Sequence, residues 1–280
     1  MDSFNRLTIV FTFCIAVAQG QNAVQKDATV IGFKLHYQEA GRGPVVVLLH
    51  GLGGDGSRWA PNIGPLSREF RVIALDQIGF GESDKPLANY HTGMLSEFLA
   101  RFLATIGVSK ASLVGNSMGA SVALYTAVHY PQVVDRLVLA DCACLRAVGA
   151  KAPVPADSRQ RDIQNSVTSE ETRDYFRTLF HNKNLVTDKV VEDNLILRLK
   201  WAFAISKIQE SNAKGLGSLS REEVHGTKAP TLIIWGKFDA LDDPELADLL
   251  AETIPGSRKV LIDDSGICPS SKSRPSSTGS

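Results

Sequence analysis

Cysteine is scarce in this chain, with four among 280 residues, and no pair of Cys or His residues has metal-site spacing. Cys142 and Cys144 are two apart, poor geometry for a disulfide along an extended strand, so small buried thiols are the expectation. An excess of either charge is missing too. Thirty basic residues cancel thirty acidic ones, which removes the basic face that a nucleic-acid partner needs. There is no repeat of solenoid length, no phosphate loop and no dinucleotide fingerprint, so no cofactor and no metal are implied. Long apolar runs are absent as well. The most apolar stretch, Leu7–Ala18, is about 12 residues, too few to span a bilayer.

What remains is a chain with 44% hydrophobic residues, enough to bury one large core with room for an inserted subdomain. Its first twenty residues read as a separate unit. Arg6 precedes the apolar run, and Ala18-Gln19-Gly20 offers small residues where a signal peptidase cuts. The expectation is a signal peptide over residues 1–20 and a secreted or periplasmic protein with no membrane segment in its mature form. The competing reading is a buried N-terminal helix.

From Thr29 onward, strand and helix patterns alternate. Val45–His50, Arg71–Asp76, Ala111–Val114, Arg136–Ala140 and Thr231–Trp235 are short, β-rich and apolar on both faces, as interior parallel strands must be. Helical patterns at Leu95–Ile106, Met118–His129 and Pro244–Ile254 separate them. Thr29–Gln38 alternates with period two and fits an antiparallel edge hairpin. Such alternation predicts an α/β fold, a mostly parallel sheet flanked by helices. The alternation fails between Leu145 and Thr227, where Ser169–His181 and a long pattern from Thr187 to about Glu210 are helical. That insertion follows Val138–Ala143, so it should sit over the carboxyl ends of the strands, where open α/β sheets bind ligands.

Gly115-Asn116-Ser117-Met118-Gly119 is the sharpest motif. A serine between a strand and a helix occupies a turn so tight that its backbone is strained and its hydroxyl projects at the helix N-terminus. The plain alternative is an N-cap serine. Three further segments keep a fixed order with it: His50-Gly51-Leu52-Gly53-Gly54, Asp76-Gln77-Ile78-Gly79-Phe80-Gly81-Glu82-Ser83, and Trp235-Gly236-Lys237-Phe238-Asp239. Together these resemble the α/β-hydrolase fold family over roughly residues 29 to 266. The resemblance implies a core over 21–144 and 229–266 with a helical cap over 145–228. It implies Ser117 as nucleophile and Asp239 as the triad acid, with Asp141 as a backup acid position. The Leu52 and Met118 backbone N–H groups would form the oxyanion hole, each donor worth about 3 kcal/mol to a tetrahedral intermediate. His50 takes a structural role beneath the glycine loop. The implied substrate is a small apolar ester or related carbonyl compound, including β-diketone-type carbon–carbon bonds. The oligomeric state is not legible.

The pattern breaks at its end. Relatives follow the last strand with Gly-His, the general base, but here Gly266 precedes Ile267, which has no proton-accepting atom. After Pro269 a Ser-rich stretch replaces the expected amphipathic helix, so residues 267–280 read as a disordered, non-native tail lacking the last helix. A one-base deletion at codon 267 accounts for both departures. With suitable codons, restoring that base reads Gly-His-Leu-Pro-Gln-Leu-Glu-Lys-Pro-Ala-Glu-Phe; the alternative is an authentic divergent C-terminus. As written, the chain is expected to be close to inactive, since losing a triad His costs about 10⁶-fold in turnover in subtilisin. A non-catalytic protein binding a small ligand on the same fold is the rival reading.

Overall fold

The computed structural model describes residues 23–144, 166–263 and 265–267. The expected leader, the start of the insertion and the tail beyond Ile267 lie outside the described residues.

The chain enters through two strands, β1 (Val24–Val30) and β2 (Phe33–Ala40), paired antiparallel from Val24↔Glu39 to Val30↔Phe33. Their turn needs two residues with positive φ, and Ile31 (45°) and Gly32 (87°) supply them. Strand β3 (Val45–Leu49) then leads through a 3₁₀ turn, Gly56–Trp59, into helix α1 (Ala60–Leu66) and strand β4 (Arg71–Leu75). Helix α2 (Thr92–Thr105), strand β5 (Ala111–Asn116), helix α3 (Met118–His129) and strand β6 (Val134–Ala140) continue the alternation.

The inserted region is helical throughout its described part: α4 (Ser169–Leu179), α5 (Asp188–Lys200), α6 (Ala202–Ala213) and the short α7 (Arg221–His225). Thr168 and Glu171 form a reciprocal capping box that starts α4. The single helical pattern expected from Thr187 to Glu210 is in fact two helices. Trp201 leaves the helical region (φ −113°, ψ 15°) and is buried edge-on against Phe80. Anchoring that indole in the core outweighs one unbroken turn of helix. Strand β7 (Thr231–Gly236), helix α8 (Glu245–Thr253) and strand β8 (Arg258–Ile262) complete the described chain.

The strands form one 8-stranded sheet in the order β1-β2-β4-β3-β5-β6-β7-β8. The pairs β1–β2 and β2–β4 are antiparallel, and every other pair is parallel. Side chains alternate between two apolar layers. Val47, Leu49, Leu113, Leu137 and Ile233 face α2 and α3, whereas Val46, Leu48, Val138, Leu232 and Ile234 share the opposite cluster with Trp59 and Ile63. None of these strand residues is more than 2% exposed, and each such burial stabilises by about 1.5–3 kcal/mol. The sheet is the mostly parallel, helix-flanked architecture expected from the alternation.

Strand order positions the site. The crossover from β3 to β4 runs one way and that from β4 to β5 runs the other, so the connections diverge between β3 and β5. At such a switch point the loops leaving the carboxyl ends part and leave a crevice. Gly51–Gly54 and Ser117 occupy those two loops.

Candidate active site

Strand β5 is buried along its whole length and ends at Asn116; helix α3 starts at Met118. Ser117 alone makes the reversal, with φ 52° and ψ −117°. A non-glycine residue held there costs about 1–3 kcal/mol, so the surroundings must enforce it. They do so by contact. A Cβ on Gly115 would lie 2.3 Å from the Gly119 carbonyl carbon, and one on Gly119 would lie 2.2 Å from the Leu49 carbonyl oxygen. Both glycines are therefore required by close approach of strand and helix. Ser117 N–H donates to Ala140 O at 2.9 Å. Its side chain makes no capping hydrogen bond, so the N-cap alternative does not describe it. Ser117 instead lines a cavity.

That cavity has an empty volume of about 730 Å³, its open mouth included. The glycine loop Gly51–Gly54 forms one side of it, and a Cβ on Gly51 would meet the Ser117 Cβ at 3.3 Å. Gly53 takes φ 71°, and Gly54 N–H closes the loop on Gly51 O at 3.1 Å. Leu52 lines the cavity. Met118, at the first position of α3, has a backbone N–H with no intrahelical acceptor. Tyr175, Phe176, Leu179 and Phe180, from α4 and the residue after it, form the apolar wall opposite.

His50 is fully buried beneath this loop. Its Nδ1 lies 2.9 Å from Gly51 O, and its Nε2 accepts from Gln77 N–H at 3.2 Å. Burial pulls its pKa down to about 4, so it is a neutral tether between two loops with neither nitrogen free. His36, His91, His129, His181 and His225 are occupied elsewhere. They bond Asp27, cap α2, stack near Tyr125, stack on Phe238 and contact Thr253 O, respectively. No histidine lines the cavity among its described residues.

The position after Gly266 holds Ile267, and its side chain is no bystander. It is 4% exposed, lines the cavity with Ser117, and packs into a cluster with Tyr175, Phe176, Leu179 and Phe180 of the insertion. Asn116 Nδ2 donates to Ile267 O at 3.2 Å, and Gly266 touches the Leu179 carbonyl so closely that a Cβ would sit 2.5 Å from it. An aliphatic contact thus occupies this edge of the cavity.

Asp239 is buried at the end of β7. Its Oδ1 accepts from Leu241 N–H at 2.9 Å and Asp242 N–H at 3.2 Å, while its Oδ2 accepts no hydrogen bond. Burial raises its pKa to about 6. Asp141, at the end of β6, is fully buried with φ 44°; its Oδ1 accepts from Gly236 N–H at 2.8 Å and its Oδ2 is also unpartnered. Burial first, and the charge of Asp239 second, hold the Asp141 carboxyl well above the usual carboxylate range. Just ahead of α8, Asp243 Oδ1 accepts from Glu245 N–H at 2.9 Å.

Three features escaped the sequence reading. Cys142 and Cys144 are joined in a disulfide with Cα atoms 5.2 Å apart. The strand has ended at Ala140, and the turn after Asp141 brings the two residues closer than an extended chain would. Arg58 and Arg198 both line the cavity; Arg58 follows the glycine loop closely enough to have been noticed, but an arginine inside a helix carries no such signal. No group of residues able to hold a metal ion occurs among the described residues, and none of the described helices is long and apolar enough to cross a membrane.

Residues 44–269 match the family described as alpha/beta hydrolase fold. An uncharacterized protein of Mycobacterium tuberculosis is 37% identical over 111 residues, 40% of this chain and 33% of that protein, so the chain spans about a third of that relative's length. The 2-hydroxy-6-oxononadienedioate/2-hydroxy-6-oxononatrienedioate hydrolase of Paraburkholderia phymatum is 30% identical over 223 residues, 74% of this chain and 75% of the relative. Among solved structures, a bacterial membrane phospholipase A superposes with a TM-score of 0.77 at 25% identity, covering 88% of this chain and 80% of the other.

Proposed function

Because the chain belongs to the α/β-hydrolase fold family, and its relatives include hydrolases of small molecules, we propose that it is a serine hydrolase scaffold for a small ester or related carbonyl substrate. Ser117 Oγ is the nucleophile of this reading. It would attack the carbonyl carbon, and the oxyanion so formed would be held by the Leu52 and Met118 backbone N–H groups. Asp239 is the acid that would orient and charge-balance an imidazole at position 267. The observation that carries the reading is the strained Ser117 turn opening onto a cavity shared with the glycine loop. The helices between β6 and β7 then act as a cap, contributing the apolar wall.

As written, the chain lacks the group that takes the proton from Ser117, and catalysis is reduced to what oxyanion stabilisation and binding supply. A one-base deletion at codon 267 is the proposed cause, and re-reading the gene across that codon tests it. Hydrolysis of p-nitrophenyl butyrate tests the chemistry. The chain should be nearly inert, the frame-restored chain, which carries His at position 267, should be active, and Ser117→Ala in that chain should abolish the activity. A Ser117-dependent burst from the chain as written would overturn the account of the missing base. Export through the leader at 1–20 is part of the same proposal, tested by N-terminal sequencing of the secreted product.

One observation favours a second reading. Ile267 is fully integrated into the apolar cluster of the insertion, which suits a binding protein for an apolar ligand as well as it disables an enzyme. Tight binding without turnover, together with an intact reading frame, would select it.

A further inference from the structure

Among the described residues, Ile31, Ser117 and Asp141 are the non-glycine residues with positive φ, and two of them flank a single hydrogen bond, from Ser117 N–H to Ala140 O at 2.9 Å. Backbone strained in this way persists only where its surroundings enforce it. The glycine interlock holds Ser117 from the β3 side, and the segment leaving β6 holds it from the other. Ala140 O accepts from Ser117 N–H and from Asn116 Nδ2 at 3.4 Å, and Ala143 N–H donates to Ser117 O at 3.4 Å. Residues 140–143 thus grip the main chain of the serine at both of its polar atoms. Asp141 N–H, bonded to Ile234 O at 2.9 Å, anchors the near end of that grip. Its far end is the Cys142–Cys144 bridge, which closes around Ala143. The Cα atoms of the bridge are 5.2 Å apart, against about 6.6–7.2 Å for the same two steps of extended chain. The chain is therefore folded in at the residue that reaches Ser117. So short a loop takes little freedom from the unfolded chain, because the stabilisation a cross-link gives grows with the loop it closes. The bridge is no staple of the fold; its effect is local.

We propose that the Cys142–Cys144 disulfide is a redox-operated clip on the Ser117 turn. Closed, it keeps Ala143 N–H on Ser117 O; opened, it lets residues 142–144 extend, and the turn loses one of its two grips. The glycine interlock still aims the hydroxyl, while the bridge governs how readily the turn opens. A dithiol reductant drives the change. Its thiolate attacks Cys144, the less buried of the pair at 6% exposure against 0% for Cys142. The S–S bond breaks, a mixed disulfide forms, and the second thiol of the reductant displaces the Cys144 sulfur. Two electrons and two protons end on Cys142 and Cys144, and the reductant leaves as a cyclic disulfide. Such a bridge persists in an oxidising compartment and opens in a reducing one, so the stiffness of the turn follows the compartment. The clip acts on the turn whatever the turn is used for, so it stands apart from the hydrolase reading.

Hydrogen exchange of the full chain, read by mass spectrometry with and without dithiothreitol under native conditions, tests this without requiring turnover. Alkylation before reduction should leave the tryptic peptide 137–146 unmodified, and dithiothreitol should free both of its thiols. Reduction should then speed exchange of the Ser117 and Ala143 amides by about tenfold or more. It should leave β4 and α2 unchanged and should reverse on reoxidation with diamide. A Cys142→Ser/Cys144→Ser chain should exchange like the reduced protein, with or without dithiothreitol. If that variant fails to fold, the redox cycle of the wild-type chain carries the test. Two free thiols before reduction, a bridge that resists dithiothreitol in the folded chain, or unchanged exchange at 117 and 143 would overturn the inference. So would faster exchange throughout the sheet, which would make the bridge a staple of the whole fold.

Discussion

Replacing Asp239 by Asn should remove a pH dependence of stability that the wild-type chain carries in an unusual direction. The carboxyl is buried, accepts two backbone hydrogen bonds on Oδ1 and leaves Oδ2 unpartnered, and burial lifts its pKa from 3.8 to about 6. The folded state therefore holds this proton more tightly than the unfolded chain does. As pH rises from about 4 to about 6, the unfolded chain ionises first, and ionisation of the native group lags behind it. Stability from this residue is present at pH 4 and is lost by the time pH exceeds the folded pKa. A rise of about two pKa units corresponds to roughly 3 kcal/mol. Asn cannot ionise and can keep both bonds through its Oδ1. The stability of Asp239→Asn relative to wild type should then climb by about 2–3 kcal/mol between pH 4 and pH 8. Urea unfolding at intervals across that range reads the difference. His50 acts oppositely, since its lowered pKa makes it lose stability as pH falls from 6.5 toward 4, but it is common to both proteins and cancels. A difference that stays flat within about 0.5 kcal/mol across the window would refute the reasoning.

Gly115→Ala should destabilise by about 3 kcal/mol or more, because its Cβ would collide with the α3 backbone at 2.3 Å; an unchanged urea midpoint would contradict the packing described. Ile267→Ala should cost about 2–4 kcal/mol through a cavity in its cluster with Phe176 and Leu179, again read by urea unfolding. Restoring the frame, which places His at position 267, should raise kcat/KM for p-nitrophenyl butyrate by at least about a hundredfold over the chain as written, within the roughly 10⁶-fold that a triad histidine supplies. A smaller gain with a folded protein would mean that position 267 is not where the base belongs.

The parts legible in the sequence are those governed by local rules. Continuous apolar runs announced β3, β5, β6 and β7, because strands buried on both faces need no alternation. Helix α3 was bounded correctly at Met118 and His129, since a glycine-flanked turn starts it and Pro131 stops its continuation. The Ser117 turn was legible because its two glycines are required by backbone contact, a constraint that leaves a mark on residue type. What could not be read was decided by tertiary contact. The break at Trp201 depends on Phe80, more than a hundred residues away, and nothing in the local pattern anticipates it. The Cys142–Cys144 closure depends on where β6 stops. Arg198 is invisible for the same reason: it meets the glycine loop only after the insertion folds back over the sheet.

The interlock of Gly115, Gly119 and Leu49 reaches beyond the reaction itself. Because the hydroxyl is aimed by main-chain atoms wedged against one another, its bearing is indifferent to whatever occupies position 267. Under the proposed hydrolase reading, an imidazole restored together with its reading frame would meet a serine already in alignment. Reactivity in such a chassis is a detachable fitting, and geometry is the heirloom.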